Sequence, residues 1–79
     1  MHTKPLYVLV ADGGDGSYYP KFTLDEDWID RQQALYDAGE LEYDAVGVDG
    51  DGFHYTTIQV PVDATYESLG INKYLIVGN

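Results

Sequence analysis

The sequence predicts an α+β fold: a small antiparallel or mixed sheet of four to five strands with one main helix packed on one face, in the order β-β-α-β-β-short α-β. Three observations predict it. Leu6 to Ala11 is a continuous apolar run bounded by Pro5 and by the glycine-rich stretch Asp12 to Gly16, the pattern of a largely buried strand followed by a turn. Thr23 to Gly39 carries helix start and stop signals around apolar residues at helical spacing. Phe53 to Val62 returns to β-formers after a second Asp-Gly turn, Asp49 to Gly52.

The elements follow in chain order. Ser17 to Thr23, rich in Tyr and Phe, pairs back on the first strand as a hairpin, and Pro20 puts it at a sheet edge because proline cannot donate to a ladder. Thr23, Leu24, Asp25 and Glu26 fit a capping box. Asp25, Glu26 and Asp27 sit where the positive end of the helix dipole favours acids, and Gly39 supplies the stop. Trp28, Ile29, Gln32, Leu35 and Tyr36 share one helix face, so the tryptophan reads as a core anchor. The mixed, acidic stretch Glu40 to Val48 then leads through the Asp-Gly turn into a second hairpin. Asp63 to Gly70 has room for one or two helical turns, with Asp63 as cap and Gly70 as stop, before a closing strand at Tyr74 to Val77. The first and last strands are apolar on both sides, as central strands are, and are expected to be neighbours. A helix of about thirteen residues, roughly 20 Å long, covers one side of such a sheet only, which leaves the other as a tyrosine-rich or dimer-forming face.

Composition sets the outer limits. A chain of 79 residues has room for one domain, residues 1–79, and 44% hydrophobic with 14% aromatic residues is globular composition that should fold alone. With no cysteine there is neither a disulfide framework nor a thiolate metal site, which favours a reducing, cytoplasmic setting. The opening apolar run is too short to span a membrane and lacks a cleavage site, so no targeting segment is expected. Fourteen acids against four Lys and Arg give a formal net charge of -10, which repels phosphate backbones and anionic membranes; direct nucleic-acid binding is not expected.

Catalytic and metal readings fail on residue type and spacing. Aligning Gly52 with the glycine of a calcium loop puts Gly47 at the first ligand position and Ile58 where a bidentate glutamate is needed, so the Asp-Gly clusters read as turns and no metal is expected. Gly13, Gly14 and Gly16 follow a strand, but no Gly-Lys-Ser/Thr and no helix start accompany them, and Asp12 and Asp15 would repel a phosphate. His2 and His54 are the only imidazoles, and Ser17 and Ser68 the only serines. His54 alternates with Thr56, Ile58 and Val60 on one strand face, the position of a packed or edge histidine. No cofactor motif is present, and a carboxylate-only site needs a cleft that a chain this short hardly encloses. The chain is therefore not expected to be an enzyme.

What stands out is where the acids lie. Between Phe22 and Asn72 there are twelve acids and only Arg31 to offset them. On the helix Glu26, Asp30, Gln33 and Asp37 occupy the side opposite Trp28. The acids of that stripe are spaced roughly 6 and 10 Å along the axis at about 1.5 Å per residue. Glu40, Glu42 and Asp44 alternate, so in an extended stretch their carboxylates would share one side at about 7 Å intervals, and Asp49 and Asp51 follow in the turn. These separations are comparable with phosphate spacing on nucleic acid, about 1.7 Å per charge along a duplex and wider on either strand alone. The same composition also suits a protein that stays soluble in high salt, yet like charges at i,i+4 cost stability and call for a reason.

The acid-rich helix Asp25 to Asp37, the acidic stretch Glu40 to Asp51, the short chain and the lack of cysteine resemble the DNA-mimic inhibitors encoded by phages and mobile elements, anti-CRISPR proteins among them. The resemblance lies in size, charge and style. It implies a non-enzymatic inhibitor, monomer or dimer, that binds the basic DNA-binding surface of a host protein or a CRISPR-Cas effector in the bacterial cytoplasm. On this reading Glu26, Asp27, Asp30, Asp37, Glu40, Glu42, Asp44, Asp49 and Asp51, chosen by spacing, meet the partner's Lys and Arg, with Tyr18, Tyr19 or Tyr43 as aromatic anchors. The alternative is a small accessory module that binds protein through the uncovered sheet face, its acidity serving only solubility.

Overall fold

The computed structural model describes residues 2–12, 17–42, 45–49 and 51–78; the turn reading of 13–16 and the readings made of Tyr43 and Asp44 lie outside them. The order is β1 (Thr3–Asp12), β2 (Tyr18–Thr23), α1 (Glu26–Asp37), β3 (Val48–Asp49), β4 (Gly52–Phe53), β5 (Thr56–Pro61) and a 3₁₀ turn (Lys73–Leu75). The fold is α+β, with a three-stranded antiparallel sheet in the order β2-β1-β5 and a separate two-stranded ladder β3-β4.

β1 is the central strand, and its hydrogen bonds alternate between its two neighbours. Val62 N donates to His2 O at 3.2 Å, so the even-numbered residues of β1 bond toward β5 and the odd-numbered ones toward β2. Two prolines are explained by this alternation. Pro5 turns its missing donor toward the side where β2 has already ended, and Pro20 turns its own away from β1 to the outer edge of β2, as its edge reading required.

The same period of two decides burial. Tyr7, Leu9 and Ala11 point to one side, where Leu9 is fully buried among Tyr7, Ile29 and Phe53, with Trp28, Leu41, Val46, Val48 and Val77 packed around them. Leu6 points to the other side and is buried with Val60 and Ala64 under Phe22, Leu24, Leu69 and Ile71. Beyond Leu6 that second side opens: Val10 is 57% exposed, and Ile58 and Tyr18 are exposed with it.

Several expectations are corrected. The closing strand at Tyr74–Val77 is not formed, and the first and last strands are not neighbours. β1 has only two edges, and β2 and β5 occupy both, so the C-terminal segment runs instead along the outer edge of β2. There Ile76 makes a single parallel bridge to Phe22, and Val77 N donates to Phe22 O at 2.9 Å. The expected strand Phe53–Val62 breaks at His54 and Tyr55, because Phe53 pairs with Val48 in the small ladder whereas Thr56 onward pairs with β1. The second hairpin thus shrinks to two residues per strand, and the strand count is three plus two in place of four to five in one sheet.

Helix ends are corrected by a residue or two. Asp25, not Thr23, is the N-cap of α1: its Oδ1 accepts from Trp28 N at 3.1 Å, while buried Thr23 accepts from Asp25 N through Oγ1 at 2.9 Å. The helix closes as read, with Gly39 at φ 73, Gly39 N donating to Tyr36 O and Glu40 N to Leu35 O at 2.8 Å, the two bonds of a Schellman ending. The segment read as a short helix from Asp63 is one turn capped by Thr65. Thr65 N donates to Ser68 Oγ and Ser68 N to Thr65 Oγ1, and Gly70 ends the turn at φ 72. Of the five helix residues assigned to the core only Ile29 is fully buried; Trp28 and Gln32 are half-buried, and Leu35 and Tyr36 are exposed.

Candidate interaction surface

At about 100° per residue, Glu26, Asp30 and Asp37 fall within about 40° of one another on α1 and about 180° from Trp28. Trp28 faces β2 and the C-terminal segment: a Cβ placed on Gly78 would meet Trp28 Cγ at 3.1 Å and Thr23 Oγ1 at 3.0 Å. The acidic stripe therefore lies along the opposite flank of the helix, away from β2 and the C-terminal segment. Tyr7 on β1 is within the field of this flank: burial first, and then the charge of Glu26, the neighbouring Tyr55 and the charge of Asp30, hold its phenol above the ordinary tyrosine value. The Tyr7 and Tyr55 rings meet edge to face, 5.4 Å between centroids at 79°, and Phe53 packs against Tyr55 at 5.9 Å.

All eight described acids selected by spacing, Glu26, Asp27, Asp30, Asp37, Glu40, Glu42, Asp49 and Asp51, are exposed. They do not form one stripe. Glu26, Asp30 and Asp37 share the helix flank, with Gln33 Nε2 donating to Asp37 Oδ1 at 3.1 Å; Asp27 stands about 100° round from Glu26 on the solvent side. Glu40 and Glu42 follow the helix end outside any strand, so the alternating extended row read there is not formed among the described residues. Asp51 N donates to Asp49 Oδ1 at 2.7 Å, the local bond expected of an Asp-Gly turn. Asp49 also faces a cleft on the other side of β1, lined by Val10, Asp12, Tyr18, His54 and Tyr55. His54 Nε2 stands 3.5 Å from Asp49 Oδ1 with both side chains well over half exposed, a pair that attracts only when the imidazole is protonated and then contributes little.

The main sheet is almost free of acid. β2 and β5 carry none, and β1 carries only Asp12 at its last position. Exposed carboxylates thus lie mostly on the helix, the loop after it and the small ladder, with Asp63 and Glu67 in the segment after β5, and the open sheet side of Val10, Tyr18 and Ile58 meets acid only at its rim, at Asp12 and Asp49. Two features escape a reading of the sequence alone. One is the Tyr7–Tyr55 pair beside the stripe, whose partners are 48 positions apart; the other is the unpaired outer edge of β5. The lack of any charge from Thr56 to Pro61 is the one signal in the sequence that points to it.

Comparison with protein-family models, with curated proteins and with solved structures finds no match. Among the described residues no group of three or more His, Cys, Asp or Glu is disposed to hold a metal ion, and no helix is long and apolar enough to cross a membrane.

Proposed function

We propose that the protein is a non-enzymatic inhibitor that presents the carboxylates of its helix and following loop to the basic surface of a nucleic-acid-binding protein, standing in for a polyanion. The observation that carries this reading is the segregation of charge: exposed acids on the helix flank and beyond, against a main sheet with one acid at its rim. Lys and Arg arranged to hold phosphates would meet carboxylates at comparable spacing, which speeds association and makes it sensitive to salt. A CRISPR-Cas effector, with its basic channel for target DNA, is a target of this chemistry, and so is any DNA-binding complex with a similar groove.

The test is charge reversal. Glu26→Lys, Asp30→Lys and Asp37→Lys are combined in a variant whose fold is checked by circular dichroism, and inhibition of target-DNA binding by the effector is measured against the parent. Loss of inhibition, with capture from bacterial lysate that weakens at high salt in the parent, supports the reading; inhibition that survives all three reversals overturns it.

The uncovered face supports a second reading, an accessory module that binds protein through Val10, Tyr18 and Ile58, which are exposed together on one side of the sheet. In that case Tyr18→Ala and Ile58→Ala weaken capture more than the charge reversals do, and capture persists at high salt.

A further inference from the structure

β5 ends the sheet, and its outer edge has no partner among the described residues. Because Thr56, Ile58 and Val60 spend their backbone groups on β1, the amides and carbonyls of Thr57 and Gln59 point outward, and Pro61, with no N–H, closes the row. Thr56 to Gln59 are exposed, and the strand has no charged side chain. None of the usual means of blunting an edge is present except that proline.

A strand added here lies about 4.8 Å further out and alternates its side chains between two surroundings. Those level with Thr57 and Gln59 fall on the helix side, the side of Tyr7, which pairs with Thr57 and lies within the field of Glu26 and Asp30. Those level with Ile58 fall on the open apolar side. Charge selects among occupants. A second copy pairing antiparallel through β5 would be related by an axis perpendicular to the sheet, which puts both helices on the same side and turns the two acidic flanks toward each other. A segment with Lys or Arg at alternate positions meets those acids with the opposite sign instead.

We infer that the outer edge of β5 takes an extended basic segment of a partner protein as a fourth strand, its alternate Lys or Arg side chains directed at the helix carboxylates and its intervening apolar side chains beside Ile58. This rests on the reading that the acidic side meets a basic partner, and adds to it the backbone conformation in which the partner is held. Main-chain hydrogen bonds supply affinity and the alternating side chains supply selectivity, as in other strand-addition complexes.

The experiment is calorimetric titration with a peptide of alternating lysine and valine, a control peptide of the same composition with its lysines in one block, and an alternating peptide N-methylated at every second amide. The alternating peptide binds, more weakly as salt rises. The block peptide and the N-methylated peptide, and the alternating peptide on Thr57→Pro, each lose about tenfold or more in affinity. The N-methylated peptide tests the edge on the unaltered protein, so the inference stays exposed if Thr57→Pro fails to fold. Equal binding of all three peptides means attraction by charge alone, which overturns the strand while leaving the acidic-surface reading intact. Absence of binding overturns it as well, and so does a dimer in sedimentation that Thr57→Pro dissociates.

Discussion

Gly47 N donates to the carbonyl of Val10 at 3.0 Å, and this bond continues the sheet where β5 stops short of the end of β1. His54 N returns to Gly47 O at 2.8 Å, so one residue ties the small ladder to the central strand. The approach leaves no room for a side chain: a Cβ on Gly47 would stand 2.7 Å from Leu9 Cδ2 and 2.9 Å from Phe53 Cε1, on a backbone at φ 86.

Gly47→Ala therefore combines left-handed strain with overpacking of the core, and chemical denaturation should show a loss of about 2 to 5 kcal/mol. Gly39 has a similar φ of 73 with nothing within 4 Å of an added Cβ, so Gly39→Ala should lose only about 1 to 2 kcal/mol, the backbone term alone. Equal losses for the two would remove the argument from close approach.

Adjacent residues of β1 should respond in opposite ways to truncation. Leu9→Ala empties a fully buried position and should cost about 2 to 5 kcal/mol, whereas Val10→Ala, at a position 57% exposed, should stay within about 1 kcal/mol in the same denaturant series. A large loss at Val10 would mean that the open face is covered in solution.

Stability should also fall at alkaline pH through Tyr7. Its folded-state phenol titrates above the unfolded value of 10.0, so the native state keeps a proton that the unfolded chain releases. The contribution is fully present below pH 10 and is lost as pH rises from there through the raised folded value. Tyr7→Phe removes the titration, and its stability between pH 10 and 11.5 should decline less steeply than that of the parent in urea melts; parallel declines would contradict the shift.

The acidic flank should carry a stability cost that a lysine relieves. Asp30→Lys converts the i,i+4 repulsion with Glu26 into an attraction, for a gain of about 0.4 to 1 kcal/mol at low ionic strength that shrinks in salt. Thermal melts at two salt concentrations check it. A gain in stability together with a loss of partner inhibition would mean the repulsion is retained for binding.

Much of this architecture is legible in local sequence. The stop at Gly39 and the edge position of Pro20 follow from what glycine and proline can do with their backbone, whatever surrounds them. The exposure of the helix acids follows equally from 3.6-residue periodicity. Burial within β1 does not. Leu6 to Ala11 is apolar at every position, so no alternation in the sequence says that Leu9 is enclosed and Val10 bare; α1 decides that by covering one side.

By itself, then, the sequence determined the class of fold, the places where the chain turns, the lack of cysteine chemistry and the acidic helix flank, because each depends on residues within one turn or one strand of each other. Tertiary structure alone decided which strands flank β1, that Tyr74–Val77 lies beside β2 and not beside β1, and that Tyr7 meets Tyr55 beneath the acidic flank. A strand has two hydrogen-bonding edges, several segments of similar β-forming composition compete for them, and the choice is made by packing between residues distant in the chain.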